Sequence, residues 1–210
     1  MKNTISILFV IISFSSFGQK FTISSTRQNI LYKGLENPIE IIVEDLKCKN
    51  IGVSTTNGKI EKYAECSYIF KADTIGEANI SVYRKNKNDS ILLGTYYFKV
   101  KNIPNPTPRL IDKRSGEVEN SLLMAVNMIS TSIDGFDIDI SVRIKSFNVF
   151  IVTDNDSIIF KEIKGNKFTD DLKNEFKKLK SGDRVYFEDI VAVLPDGIDR
   201  YLNSMRFIIK

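Results

Sequence analysis

The sequence contains no histidine and no tryptophan, and only two cysteines and five prolines in 210 residues. The missing histidine removes Ser-His-Asp and Cys-His nucleophile activation, imidazole acid/base chemistry and His-containing zinc sites. Two cysteines are too few for a four-cysteine metal site. Neither a P-loop nor a dinucleotide-binding glycine pattern occurs, so no cofactor is implied. What is left for catalysis is carboxylate chemistry, as in glycosidases. Sugar sites tend to be walled by aromatic rings, and the lack of tryptophan weighs against one. Charge of one sign is also scarce: 30 basic and 26 acidic residues leave a net +4. The two signs are interleaved, as in Glu61-Lys62 and Lys161-Glu162, which describes a solvated surface and no nucleic-acid face.

Long apolar runs are missing too, apart from the start. Met1-Lys2-Asn3 precedes an apolar stretch from Ile5 to Phe14, followed by Ser15, Ser16 and Gly18. A short basic start, an apolar stretch too short to span a bilayer and small residues beyond it are the marks of a cleavable secretory signal. Cleavage is expected after Gly18, leaving a mature periplasmic or secreted chain with no transmembrane segment. Export places Cys48 and Cys66 where disulfides persist. A disulfide between them is expected; the alternative is two buried thiols.

The acidic clusters read as structure. In Phe136-Asp137-Ile138-Asp139-Ile140 the alternation predicts a half-buried strand, with Phe136, Ile138 and Ile140 inward and Asp137 and Asp139 in water. Asp154-Asn155-Asp156-Ser157 reads as hairpin turn chemistry, without the distant glutamate of a calcium loop.

Three of the five prolines fall within Ile103-Pro104-Asn105-Pro106-Thr107-Pro108. Proline fixes φ and donates no backbone hydrogen bond, so this stretch reads as a stiff, exposed linker, residues 103–108. Before it, residues 19–102 carry short strand patterns at Ile39 to Val43, Ile51 to Thr56, Ser67 to Lys71, Gly76 to Tyr83 and Ile91 to Val100. Asn57-Gly58 supplies a hairpin signal, and nothing in this half predicts a helix. After the linker, residues 109–210 are mixed. Leu122 to Val126 and Phe136 to Ile144 are strand candidates. Phe147 to Thr153 and Ser157 to Ile163 are expected to pair about the Asp154 turn. A helix is predicted over Asp170 to Lys180, capped by Thr169 and ended by Gly182, with Leu172, Phe176 and Leu179 on one face. Strands Arg184 to Val193 and Met205 to Ile209 close the chain around a Pro195-Asp196-Gly197 turn. The fold class expected is mainly β: two Ig-like β-sandwich domains in tandem, the second with one short helix.

Several stretches carry a family resemblance. Asn29-Ile30-Leu31-Tyr32-Lys33-Gly34-Leu35-Glu36-Asn37-Pro38-Ile39 resembles the opening of the third region of GldM, a gliding-motility and type IX secretion protein. Phe98-Lys99-Val100-Lys101-Asn102-Ile103-Pro104-Asn105-Pro106 resembles that family's junction between its last two domains. Phe136-Asp137-Ile138-Asp139, Ser146-Phe147-Asn148-Val149, Gly182 to Ile190 and Leu194-Pro195-Asp196-Gly197 resemble successive parts of its C-terminal domain. The resemblance implies a periplasmic assembly role, linking an inner-membrane motor formed with GldL to a ring beneath the outer membrane. It implies no catalytic residues. No counterpart of the family's N-terminal membrane helix and helical domain is expected here; a cleavable signal peptide is expected in their place.

The reading is thus an exported, non-catalytic adaptor that binds envelope proteins, secretion-ring components among them, with a homodimer left open. An extracellular adhesin-like or carbohydrate-binding module is the alternative. A carboxylate-based hydrolase is a third reading, which two buried carboxylates facing each other in a cleft would support. The tips Asn57-Gly58 and Asp196-Gly197 are expected to be exposed.

Overall fold

A computed structural model of the chain describes residues 21–24, 29–87, 89–136 and 138–210. The expected signal peptide, residues 1–18, and Asp137 lie outside them. The chain is mainly β and forms two bodies in tandem, each with its own core.

The first body contains β1 (Phe21–Ser24), β2 (Ile30–Tyr32), β3 (Asn37–Val43), β4 (Ile51–Thr55), β5 (Lys59–Ala64), β6 (Ser67–Lys71), β7 (Gly76–Lys85) and β8 (Ser90–Lys101), with a 3-10 turn at Cys48–Asn50. They form two four-stranded sheets, β1-β3-β6-β5 and β2-β8-β7-β4. All neighbours are antiparallel except β2 and β8, which run parallel. β3 shows why the sheets face each other. Ile39, Ile41 and Val43 are buried while Pro38, Glu40 and Ile42 are exposed, the period of two that gives a strand one dry side. Phe70, Ile80, Val82, Phe98 and Val100 fill the space from the other strands.

One expectation fails in this body. Asn57-Gly58 does not close a hairpin, because β4 pairs with β7 and β5 pairs with β6. The chain crosses between the sheets there. Asn57 is only 7% exposed and is held by the Asp73–Glu77 segment. Gly58, at φ +79°, lies against the main chain of Lys71 and Ala72. Local turn preference yields to this long-range anchor.

The second body contains β9 (Thr107–Arg109), β10 (Gly116–Val118), α1 (Asn120–Ala125), β11 (Ser130–Ser132), β12 (Arg143–Val152), β13 (Ile158–Lys164), α2 (Asp170–Phe176), β14 (Arg184–Val193), β15 (Asp199–Tyr201) and β16 (Met205–Ile209). Its large sheet has the order β10-β16-β14-β12-β13, with β15 alongside β14. β9 and β11 make a separate two-stranded sheet. Five phenylalanines meet in the core, with ring centroids 5.5 to 6.2 Å apart: Phe147, Phe168, Phe176, Phe187 and Phe207. Such offset and edge-on contacts favour a single packing arrangement.

The β12–β13 hairpin forms where expected, about Thr153–Ser157. α2 also forms, with the Thr169 side chain accepting from Leu172 N at 3.2 Å. It ends at Phe176, and Leu179 remains buried beyond it. Two strand predictions are corrected. Residues 122–125 belong to helix α1, not a strand. Leu, Met and Ala favour helix, and a five-residue apolar run has no period to say otherwise. Phe136 and residues 138–142 are not strand either; β12 begins only at Arg143. Its partner β14 ends at Val193, opposite Arg143, so the alternating segment upstream has no ladder to join. Ile138, expected inward, is 42% exposed. The proline run is less exposed than expected as well. Ile103, Pro106 and Pro108 are buried, and Thr107–Arg109 enters the small sheet as an edge strand, where proline is tolerated.

Candidate functional site

The buried side chains of Asn37, Asn57 and Asp183 are committed to holding the chain. Asp183 is 4% exposed and accepts from the main-chain N–H of Asp154 at 2.9 Å and of Lys180 at 2.8 Å. It thereby ties the β12–β13 turn to the end of the α2 segment. The Asp196 side chain is 4% exposed and accepts from Arg200 at 2.6 Å and from Ile198 N at 3.0 Å. Both carboxylates are occupied by structural donors. Asp139 is exposed. Among the described residues, no group of three or more Cys, Asp or Glu is placed to hold a metal ion.

The two bodies meet at a packed joint. Gly34 sits at φ +83° in the turn between β2 and β3, and a Cβ there would lie 2.4 Å from Asp196 Cβ and 2.8 Å from its Cα. Tyr32 meets Phe136 edge to face, centroids 4.9 Å apart. Tyr32 and Gly34 on one side and Phe136 and Asp196 on the other are thus among the residues that bring the bodies together. At the Asp196-Gly197 tip Gly197 is exposed as expected, whereas the Asp196 side chain is buried. Asn57, the other expected tip, is buried within the first body.

Two surface features stand out. The first is a salt-bridge cluster: Arg109 donates to Asp134 at 2.8 Å and to Ser132 Oγ at 2.6 Å, and Arg114 reaches the other Asp134 oxygen. The Arg109 hydrogen bond, with both guanidinium charges behind it, holds the Asp134 carboxyl below the ordinary aspartate range. The second is a cross-strand row on the outer face of the large sheet. Phe160, Phe150, Tyr186 and Arg206 lie opposite one another across β13, β12, β14 and β16. Phe150 and Phe160 pack at 5.0 Å with planes 44° apart, and the Arg206 guanidinium lies 5.6 Å from the Tyr186 ring centre. Sequence reasoning missed this row. Its signal was the unbroken apolar run Val149 to Val152, which gives β12 an apolar character on both faces.

Cys48 and Cys66 come together with Cα atoms 5.0 Å apart, across 18 residues of sequence. The contact joins the 3-10 turn to the β5–β6 turn.

The fold defines a mainly β protein of two tandem sandwich-like bodies joined by a packed contact. The chain belongs to the GldM family: the GldM third domain matches residues 20–101 and the GldM C-terminal domain matches residues 104–210. That family serves gliding motility and type IX secretion. No curated protein matches the chain. Among solved structures, the four N-terminal Ig domains of Dscam1 isoform 7.44 align at TM-score 0.27 and 11% identity, over 91% of this chain and 52% of that one. Isoform 8.4 aligns at TM-score 0.27 and 9% identity, over 92% and 52%. Eight Ig domains of DSCAM isoform 1.30.30 align at TM-score 0.27 and 11% identity, over 91% and 30%. The chain spans about half or less of these structures, and likeness at this level carries no functional argument. No helix among the described residues is long and apolar enough to cross a membrane.

Proposed function

We propose that this chain is an exported, non-catalytic adaptor of a type IX secretion or gliding-motility apparatus, acting in the periplasm or beyond it. The observation that carries the reading is the ordered match of two GldM domains over nearly the whole chain. In this reading residues 1–18 are a cleaved signal, 19–102 the first domain, 103–108 the connection and 109–210 the second domain. The packed joint at Gly34 and Asp196 supports a component that holds partners at a set angle. The occupied state of Asp183 and Asp196 supports a non-catalytic role. The partners are envelope proteins, secretion-ring components among them.

Crosslinking in intact envelopes followed by affinity purification tests this. Recovery of secretion or motility components is expected. Recovery of none, or a cytoplasmic chain that keeps residues 1–18, overturns it. The carbohydrate-binding alternative gains little from the aromatic row. Phe150 and Phe160 lean on each other and do not make the flat platform on which a sugar ring stacks.

A further inference from the structure

The β9–β11 pair leaves one strand edge open. Opposite pairs in an antiparallel ladder alternate between exchanging two hydrogen bonds and exchanging none. Thr131 stands opposite Pro108, which has no N–H to give, so theirs is the pair without bonds. The ladder bonds run instead through Ser130 with Arg109 and Ser132 with Thr107. The main-chain N–H and C=O of Thr131 therefore point away from β9.

On that outer side the strand's approach is already covered. Phe168 N donates to Asn127 O at 2.8 Å, Met128 pairs with Lys167, and Ile129 N donates to Asn166 O at 3.0 Å. The covering segment then leaves, because Gly165 N bonds to Lys145 O and Lys164 pairs with Ser146 on β12. Thr131 lies just past the last partner. A groove of about 610 Å³ opens beside it, walled by Ile133, Phe136, Ile140 and Val142, with the exposed Asp139 also on its lining. That volume is within the usual range for a binding pocket. The carboxylate of Asp139 pairs with no cation among the described residues, whereas Asp134 is fully engaged by Arg109 and Arg114.

We propose that this groove binds an extended peptide segment of a partner protein by strand addition to β11. The free N–H and C=O of Thr131 supply main-chain bonds. The isoleucine and valine walls take an apolar side chain, and Asp139 takes a basic residue on the neighbouring position. The fitting ligand alternates apolar and basic residues. A second copy of this chain fits worse, because a two-fold pairing through β11 brings Asp139 towards its own copy. The proposal deepens the adaptor reading and rests on it only in taking the ligand to be polypeptide.

The test uses the mature chain, residues 19–210, and an octapeptide of alternating lysine and valine. Saturable binding is expected, with slowed exchange of the Thr131 amide proton. Binding should fall at least tenfold when glutamate replaces lysine in the peptide, and should vanish when the peptide is N-methylated at alternate residues. Thr131→Pro should abolish binding. Because that change can also disturb the edge, Asp139→Lys at an exposed position provides the second arm: it should reverse the preference in favour of the glutamate-valine peptide. No saturable binding, binding that survives N-methylation, or an unchanged preference in Asp139→Lys each overturns the proposal. If envelope components still copurify while the peptide fails, the groove is wrong and the adaptor reading stands. If the peptide binds and no envelope component copurifies, the reverse holds.

Discussion

Single residues here hold segments that are far apart in sequence. Asn57 accepts from the N–H groups of Asp73 and Thr74 at 3.2 and 3.1 Å and donates to the carbonyls of Thr74 and Glu77 at 2.9 and 3.1 Å. Removing one partner of a buried hydrogen bond strands the other, at about 1–3 kcal/mol each. Asn57→Ala should therefore destabilise the first body by about 2–4 kcal/mol in urea unfolding followed by tyrosine fluorescence; a loss within ~0.5 kcal/mol, the usual range for surface sites, would remove the anchor from the account. Asp134 makes a pH statement. Its carboxyl is held below the ordinary aspartate range by the Arg109 hydrogen bond first and then by the guanidinium charges. A group depressed in the folded state stabilises above its unfolded value and loses that contribution as pH falls through its folded value. A carboxyl-carbon NMR titration should place the Asp134 midpoint below an ordinary aspartate, and Arg109→Gln should move it up. A midpoint unmoved by Arg109→Gln would separate the carboxylate from this pair.

Elements succeed or fail here by whether they find a partner. Helix α2 has its own signals, and the Thr169 cap satisfies an N–H that would otherwise be bare. Thr169→Ala should cost about 1 kcal/mol of second-body stability by thermal unfolding, and Thr169→Ser should restore most of it. The 3-10 turn at Cys48–Asn50 and the β5–β6 turn are brought together by Cys48 and Cys66. A disulfide closing a loop of this length is worth about 3 kcal/mol in the entropic view. Intact-mass measurement of the chain purified without reductant should find two hydrogens fewer than the reduced form, and reduction should lower the unfolding transition of the first body only. Free thiols in that preparation would contradict this.

At the scale of the whole molecule, the two bodies touch where Gly34 meets Asp196 and Tyr32 meets Phe136. A side chain at Gly34 meets Asp196 at 2.4 Å and also sits at a φ that L-residues avoid. Gly197 shares a positive φ of +74° but has nothing within 4 Å of its Cβ position. Gly34→Ala should change the small-angle scattering profile and raise hydrogen exchange at Tyr32 and Phe136, while Gly197→Ala, carrying the backbone strain alone, should do neither. Equal profiles for both variants would mean that the joint is not a steric fit.

The amino-acid order by itself determined what is local. Short apolar runs marked β3, β12, β13 and β14, turn residues marked the β12–β13 hairpin, and the Thr169 cap and apolar face marked α2, because turn chemistry and capping act within a few residues. The ordered resemblance along the chain pointed to the family that the two domain matches then showed. Only the tertiary structure decided which strands pair. It sent Asn57-Gly58 between sheets, denied residues 138–142 a ladder when β14 ended at Val193, and made a helix of residues 122–125. It alone placed Asp196 under Gly34 and left the Thr131 edge open, since both depend on segments more than thirty residues apart meeting through bonds and contacts that no local pattern encodes.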